Sequence, residues 1–248
     1  NIISQKNYLN DKIYVPTEDE QEKIELLAKV KTTYYDDGKI QFQGAFIDSI
    51  PVGIHREFDE TGKNTITKEY NRYGELQGEG FFDENGLRTG IWKLYDSKLK
   101  YFYGEGEYKN GKKNGKWIYY FPNKEIEQEG AYIEGKQEGE WKWYFKNGKI
   151  RKAEFFLNGK LEGEYVEYDK DGEIIHKGEY FDGAKQGEWF YNVGNIKKIG
   201  SFELDAKHGY WKHFYNDNGK LYFEGEFVNG EPDGTHKYYY SNGNVMLF

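Results

Sequence analysis

The sequence contains no cysteine, which excludes disulfide bonds, thiolate nucleophiles and cysteine-ligated metals. It has only four prolines in 248 residues. No run of eighteen apolar residues occurs, so no stretch of the sequence predicts a membrane-spanning helix. Positive charge is also scarce, because 35 Lys and Arg against 43 Asp and Glu give a net charge of −8. An acidic chain lacks the basic surface on which nonspecific nucleic-acid binding and attraction to anionic membranes depend.

Glycine and aromatic residues are abundant instead. The chain has 31 glycines, and 19% of its residues are aromatic. This aromatic content argues against disorder, whereas a hydrophobic share of 37% is small for a large enclosed core. With few prolines, the glycines predict a sheet interrupted by many tight turns. We therefore expect an all-β protein with a thin, aromatic core.

A repeated module of about 24 residues accounts for most of the chain. Its clearest copy runs from Gly139 to Gly163, where Trp141 and Trp143 alternate with polar residues at the period of a strand. Asn147-Gly148 predicts a tight turn with positive φ at both central residues. The module is therefore predicted to be a β-hairpin, which Asn158-Gly159 joins to the next copy.

Two aromatic columns follow this repeat. Five of the six tryptophans lie two residues after a glycine that opens a copy, and the second strand of each hairpin carries a Tyr or Phe. The first column is His55, Trp92, Trp117, Trp141, Tyr165, Trp189, Trp211 and His236. The second is Phe46, Phe82, Tyr108, Tyr132, Phe155, Tyr180, Phe202 and Phe227. Rings in register between neighbouring strands would stabilise the array.

The beginning of the chain differs from the repeats. Residues 1–33 are predicted to be an irregular leader and a capping helix, and 34–248 the repeat array. The helix is expected over Glu18 to Ala28, which is rich in helix formers and follows capping-box spacing. A strand from Ala28 to Tyr35 is the alternative for the end of this segment. Such a helix would cover the first edge of the sheet.

One copy departs from the regular period. The stretch from Gly53 to Gly90 is longer than the other copies and contains two turn-like sequences, Thr61-Gly62-Lys63 and Tyr73-Gly74-Glu75. It predicts a longer hairpin or an extra pair of strands at this point of the array.

The recurring Gly-x-Trp-x-x-Tyr, a Gly-Lys turn, Gly-x-Tyr or Phe and a second Gly-Lys resemble the MORN repeat, in the variant form of bacterial proteins that include the YwqK type. The resemblance covers about Tyr34 to Phe248, with departures at His55, Asn192 and His236. It implies an elongated, single, twisted antiparallel sheet of about eight stacked β-hairpins. It also implies binding functions, among them the antitoxin role described for YwqK-type proteins.

No catalytic, metal or cofactor site is predicted. The five histidines lack metal-ligand spacing. Asp169 to Gly172 and Asn216 to Gly219 faintly resemble calcium loops, but the hairpin-turn interpretation explains both. Gly-Glu pairs recur in copy after copy, whereas a catalytic carboxylate pair should occur once. We therefore expect no enzyme and no cofactor.

The faces of the sheet predict a protein-interaction surface. A single sheet has two faces and cannot bury both, so aromatic residues flanked by Lys and Glu should remain accessible on one of them. The alternative is that twist and curling of the sheet hide most of the rings. The candidate surface residues are Tyr120, Tyr144, Tyr168, Phe214 and Tyr239.

The C-terminal residues predict a second contact. An uncovered apolar edge strand usually pairs with another strand, so self-association or docking of a partner strand is expected there. The candidate edge residues are Val245, Met246, Leu247 and Phe248.

The sequence thus favours a non-enzymatic protein-interaction scaffold with protein partners. The resemblance adds two alternatives, an antitoxin or immunity-like protein that binds a toxin, and a protein associated with membrane lipid, which the acidic charge disfavours. Nucleic acid is not expected as a partner. The chain begins at Asn1 rather than Met, which predicts export to the periplasm or cell surface, with the cytoplasm as the alternative.

Overall fold

The structure is a computed structural model that describes residues 7–9, 12–14 and 27–246. The chain divides into two compact units, unit 1 over 1–113 and unit 2 over 114–248. Among the described residues the regular elements are all β-strands, and helical geometry is found only at Leu27. The predicted capping helix otherwise lies outside the described residues and stays a prediction.

Unit 1 is an antiparallel array in which each strand pairs with the next along the chain, after a small separate hairpin of β1 and β2. Its strands are β1 (Asn7–Leu9), β2 (Lys12–Tyr14), β3 (Lys29–Tyr34), β4 (Ile40–Ile47), β5 (Ile50–Phe58), β6 (Asn64–Tyr70), β7 (Leu76–Phe82), β8 (Arg88–Asp96) and β9 (Tyr101–Lys109).

Unit 2 continues the same pattern, and the first two residues of its first strand belong to unit 1. Its strands are β10 (Lys112–Tyr120), β11 (Ile126–Ile133), β12 (Lys136–Tyr144), β13 (Ile150–Leu157), β14 (Lys160–Tyr168), β15 (Ile174–Phe181), β16 (Ala184–Val193), β17 (Ile196–Glu203), β18 (Ala206–Tyr215), β19 (Leu221–Val228) and β20 (Glu231–Tyr238). The predicted all-β fold of antiparallel hairpin repeats is confirmed in each unit.

Two kinds of turn alternate along unit 2. At Asn158-Gly159 both residues have positive φ, 53° and 83°, as a two-residue hairpin requires. At Asn147-Gly148 only the glycine does, with φ of 79°. The chain reverses there as predicted, but the expected turn type is wrong, because the Asn147 side chain accepts a hydrogen bond of 3.0 Å from the Lys149 amide and fixes the turn itself.

In several turns the lysine that follows the glycine links neighbouring turns. The ammonium of Lys149 donates to the carbonyls of Lys170 and Asp171 in the next turn, at 3.2 and 3.3 Å. Lys220 donates in the same way to the carbonyl of Asn242, at 3.1 Å. The repeated Gly-Lys of the sequence is therefore explained as a contact between successive hairpins.

Three buried tryptophans of unit 2 cover a glycine on the preceding strand. A Cβ on Gly130 would overlap the ring of Trp141, so a larger residue would displace the indole. The indole Nε1 also donates a hydrogen bond of 3.0 Å to the carbonyl of Ala131. Trp141 is fully buried as a result, at 0% exposure. The same contact joins Gly178 to Trp189 and Gly200 to Trp211.

The glycines that open the copies are required for a different reason. Gly139 has φ of 70°, and a Cβ there would meet no atom within 4 Å. It lies opposite the bulge between Glu129 and Ala131, where the pairing of β11 with β12 shifts register. The opening glycine is therefore needed for its backbone conformation, whereas Gly130 is needed for space.

The second aromatic column is correct except in one copy. The ring that contacts Trp141 is Phe156, at 6.4 Å between centroids, and not Phe155. Phe156 is 8% exposed and Phe155 is 43% exposed. In each copy the ring of the second column lies two residues after the residue that pairs with the tryptophan column. In this copy the paired residue is Glu154, so strand alternation places Phe155 on the opposite face.

The irregular copy over residues 53–90 contains one additional strand rather than a pair. A regular copy has one strand between successive opening glycines, whereas β6 and β7 both lie here. Successive cross-strand pairs connect His55 on β5, through β6 and β7, to Lys93 on β8, so His55 and Lys93 lie on the same face of the sheet. Trp92 is adjacent to Lys93 and therefore lies on the opposite face. The extra strand thus moves the aromatic column to the opposite face of unit 1.

Gly200→Ala is expected to destabilise the protein by about 1–3 kcal/mol, because the added methyl group displaces the Trp211 ring. Thermal unfolding should show a lower midpoint, by about 2–4 °C for each kcal/mol. Ser201→Ala is the control, since it changes the adjacent residue and leaves intact the backbone carbonyl that Trp211 binds. Equal midpoints for the two variants would contradict the packing argument.

Candidate functional site

The face of unit 2 that lies opposite its tryptophans is crossed by one unbroken row of paired side chains, and we call it the Tyr-Glu face. Four of its five central members are apolar, the fifth being Lys177, and charged residues lie on both sides of them. Its members are Ile118, Glu129, Lys142, Ala153, Val166, Lys177, Phe190, Ile199, Lys212, Glu224 and Lys237.

The apolar centre of the Tyr-Glu face combines buried and accessible groups. Val166 is buried, and Phe190 is half-buried with the Lys197 ammonium 5.2 Å from its ring centroid. Phe155 adds an exposed ring beside them, opposite Glu140 on β12. The centre therefore offers apolar surface bordered by ammonium and carboxylate groups.

Hydrogen-bonded charge clusters lie on both sides of this centre. On one side the Tyr144 hydroxyl donates to Glu129 Oε1 at 2.6 Å, and the Lys116 ammonium lies 2.8 Å from Glu129 Oε2. Burial, with the bond to Glu129, raises the pKa of Tyr144 to about 12. The bonds from Lys116 and Tyr144 lower the pKa of Glu129. This side thus holds an ionised carboxylate and a neutral phenol in fixed positions.

The other side repeats the arrangement. The Tyr239 hydroxyl donates to Glu224 Oε1 at 2.6 Å, and this bond, with burial, raises the pKa of Tyr239 to about 12. Bonds from Tyr239 and Tyr210 lower the pKa of Glu224. Lys212 and Lys237 pair with Glu224 from the two adjacent strands.

The predicted surface residues occupy one position of the repeat. Each lies three residues after the tryptophan column near the end of its strand, and each is half-buried. Tyr144 and Tyr239 reach the Tyr-Glu face through their carboxylate partners. A role of these side chains in recognition stays a prediction. The set is Tyr120, Tyr144, Tyr168, Phe214 and Tyr239.

Part of the predicted C-terminal contact is described. Val245 is 54% exposed and forms an isolated antiparallel bridge with Tyr239. The amide of Met246 donates to the carbonyl of Tyr238 at 2.8 Å. These residues therefore fold back along the end of β20. Leu247 and Phe248 lie outside the described residues, and a contact with a partner stays a prediction.

The tryptophan face of unit 2 carries a second row that the sequence reasoning missed. Its members differ in chemistry although they occupy equivalent places: Tyr119, Gln128, Trp143, Lys152, Glu167, His176, Tyr191, Lys198, His213, Phe223 and Tyr238. A signal was present in the sequence, because the residue two positions after the tryptophan column changes from copy to copy.

Comparison with protein families agrees with this repeat geometry. The model of the MORN repeat variant matches residues 113–134, 137–158, 161–182 and 232–247. These four segments are variant MORN repeats. No curated protein matches the chain.

The solved structures that match include the crystal structure of TcdB2-TccC3, with 10% sequence identity and a TM-score of 0.22. The match covers 88% of this chain and 17% of that chain. The chain therefore spans less than a fifth of the length of that structure, and a TM-score of this size carries no argument about function.

Two MORN repeats have histidine in the tryptophan column. His55 Nε2 lies 2.8 Å from the carbonyl of Ala45, and His236 Nε2 lies 2.7 Å from that of Glu226. Each ring covers a glycine as the indoles do. These histidines therefore reproduce the contact of tryptophan, as the predicted structural role requires.

One MORN repeat replaces both members of the Trp-Gly contact. Tyr165 stands in the tryptophan column, and Glu154 stands where the glycine would be, at 7% exposure. The Lys152 ammonium lies 2.7 Å from the Glu154 carboxylate. The Tyr165 hydroxyl donates to Glu167 at 2.9 Å, and His176 Nδ1 lies 2.9 Å from the same oxygen. Both carboxylates are thus paired within the sheet.

His213 is a second unusual group of the tryptophan face. Its Nε2 is buried and has no hydrogen-bond partner among the described residues. Burial lowers its pKa to about 4, with the charges of Lys198 and Lys207 acting in the same direction. His213 is therefore neutral at pH 7.

The turns that resemble calcium loops are closed by their own side chains. Asp169 Oδ1 accepts hydrogen bonds from the amides of Asp171, Gly172 and Glu173, at 2.9 to 3.0 Å. In the described part of the chain no three His, Asp or Glu side chains are placed to share a metal. Within the same residues no helix is long and apolar enough to span a membrane.

Tyr165→Trp is expected to cost about 1–3 kcal/mol, because the larger ring meets Glu154 where the other repeats have glycine. Glu154→Gly alone should also destabilise, since it leaves Lys152 without its carboxylate. The double variant should restore the Trp-Gly contact. Its loss of stability should therefore be smaller, by about 0.5–3 kcal/mol, than the sum of the losses in the two single variants. Urea unfolding of the four proteins measures this coupling, and strictly additive changes would contradict it.

His213 predicts a pH-dependent stability. The pKa of His213 is about 4 in the folded protein, and its ordinary value of 6.5 applies to the unfolded chain. Between pH 4 and 6.5 the unfolded chain therefore binds a proton that the folded chain does not. The free energy of unfolding should therefore fall as the pH falls through this window. His213→Phe should remove about 1–2 kcal/mol of that fall, after allowance for solvent screening. Urea unfolding of both proteins across the window tests this, and identical pH profiles would refute the assignment.

Proposed function

We propose that this MORN-repeat protein is a non-enzymatic scaffold that binds a partner protein through the Tyr-Glu face. The observation that carries the proposal is the order of side chains along its row, in which four apolar residues and Lys177, paired with Glu164 at 2.9 Å, lie between charged residues on both sides. Protein interfaces have this arrangement, with an apolar centre inside a polar rim.

The dimensions of the face support the same function. The apolar centre runs from Ala153 on β13 to Ile199 on β17. Four strand spacings of about 4.8 Å make it roughly 19 Å wide. A patch that buries about 800 Å² on one partner is roughly 30 Å across, so the apolar centre would supply its inner part and the charged sides its rim. The rings of Phe155 and Phe190 supply rigid apolar contact area within it.

The charged groups of this face support binding over catalysis. Glu129 is held by Lys116 and Tyr144, and Glu140 by the Lys142 ammonium at 2.8 Å. Carboxylates fixed in this way present charge in a constant geometry, which favours selection among partners. A general base would instead need a pKa near the working pH, and the pKa of Glu129 is lowered.

A toxin is the partner that the YwqK-type resemblance favours. A single tight toxic partner would indicate neutralisation, whereas several partners would indicate a general scaffold. Anionic lipid is the remaining alternative, which the net charge of −8 opposes. Self-association through residues 245–248 and an exported location are further proposals that rest on the sequence.

Phe155→Asp is expected to reduce capture of partner protein from a lysate of the source organism by at least about fivefold, because it places a charge on the apolar centre. The immobilised full chain is the bait. Val193→Asp is the matched control, since Val193 is also exposed but lies at the end of β16 on the tryptophan face.

Thermal unfolding should first show that both variants are folded. Undiminished capture by Phe155→Asp, or equal loss with both variants, would refute the role of the Tyr-Glu face. Binding of the chain to anionic vesicles without capture of any protein would favour the lipid alternative instead.

A further inference from the structure

Three lysines meet on the tryptophan face of unit 2 without a carboxylate to neutralise them. They are Lys185 on β16, Lys198 on β17 and Lys207 on β18, and we call them the lysine patch. Among the described residues no carboxylate lies within 4 Å of any of the three ammonium groups. Asp205 lies close, but it accepts a hydrogen bond from the backbone amide of Lys185, at 2.9 Å.

Aromatic rings hold two of these ammonium groups in place. Lys185 Nζ lies 4.6 Å from the ring centroid of Trp189 and donates to the Tyr191 hydroxyl at 3.0 Å. Lys207 Nζ lies 4.7 Å from the centroids of both Trp211 and Phe227. The rings restrict the side chains, so a ligand would lose less entropy on binding them than on binding free surface lysines.

Lys198 lies between the other two and is exposed. It pairs in register with Tyr191 on one side and His213 on the other. Its charge, after burial, contributes to a lowered pKa of Lys207. The two ammonium groups therefore repel each other in the free protein, and a bound anion would relieve this repulsion.

The spacing of the lysine patch suits an extended acidic peptide. Strands β16 and β18 are two spacings apart, which is about 10 Å. Carboxylates on one side of an extended chain are two or four residues apart, which is about 6.6 or 13 Å at roughly 3.3 Å per residue, and these distances bracket the spacing of the strands. No arginine follows Arg151 in the sequence, so the patch lacks the guanidinium forks that favour phosphate.

We propose that the lysine patch binds an extended, acidic segment of the partner protein, with carboxylates against the ammonium groups and apolar side chains against the rings. The inference rests on the proposed scaffold function and adds a second contact for the same partner, on the face of the sheet opposite the Tyr-Glu face. A patch of one sign on a chain of net charge −8 also selects the orientation of that segment.

The test uses the full chain and a fluorescein-labelled peptide with three copies of Glu-Asp-Tyr, measured by fluorescence polarisation. We expect binding that weakens as salt is added. The double variant Lys198→Gln, Lys207→Gln should weaken it by at least about tenfold. Lys170→Gln is the matched control, because Lys170 is an exposed lysine in the turn between β14 and β15, outside both proposed binding surfaces, and it should leave the affinity within about twofold.

Four outcomes would overturn the proposal. They are no binding of the peptide, equal weakening by the double variant and by Lys170→Gln, equal affinity for a peptide of Gln-Asn-Tyr, and binding to phosphatidylserine vesicles alone. If the peptide fails while Phe155→Asp still abolishes capture, the scaffold function stands and the lysine patch is excluded. Loss of both effects would exclude the two proposals together.

Discussion

The structure depends on the contact between a large ring on one strand and a glycine on the strand before it. The glycine leaves space for the ring, and the indole N–H satisfies a backbone carbonyl that the ring would otherwise cover. Trp92 and Trp141 reach full burial in this way, within a sheet whose other rings pack around them. The contact joins neighbouring strands directly, so each copy stabilises the next.

Departures from this contact are compensated nearby. Histidine keeps the hydrogen bond with a smaller ring at His55 and His236. Tyr165 and Glu154 change together, and Lys152 supplies the charge that a buried carboxylate needs. The extra strand of unit 1 transfers the column to the opposite face and leaves the antiparallel pairing intact.

Because the ring-glycine contact is nearly constant, the remaining positions of both faces are free to vary between copies. The Tyr-Glu face places apolar groups between charge clusters, whereas the tryptophan face gathers lysines over aromatic rings. The two faces of unit 2 are built from the same repeat. They nevertheless present different chemical groups, so each face suits a different kind of binding partner. Such division is typical of repeat proteins, in which variable positions on a fixed frame determine specificity.

The sequence by itself determined the hairpins, their period and the tryptophan column, because strand alternation and turn chemistry are local. It also identified the candidate tyrosines, although not their carboxylate partners. Only the tertiary structure decided that Phe156 rather than Phe155 is buried, that one strand is added after β5, and which lysines meet on β16 to β18. These features depend on register and bulges, which set the facing residues of strands joined only through the folded sheet.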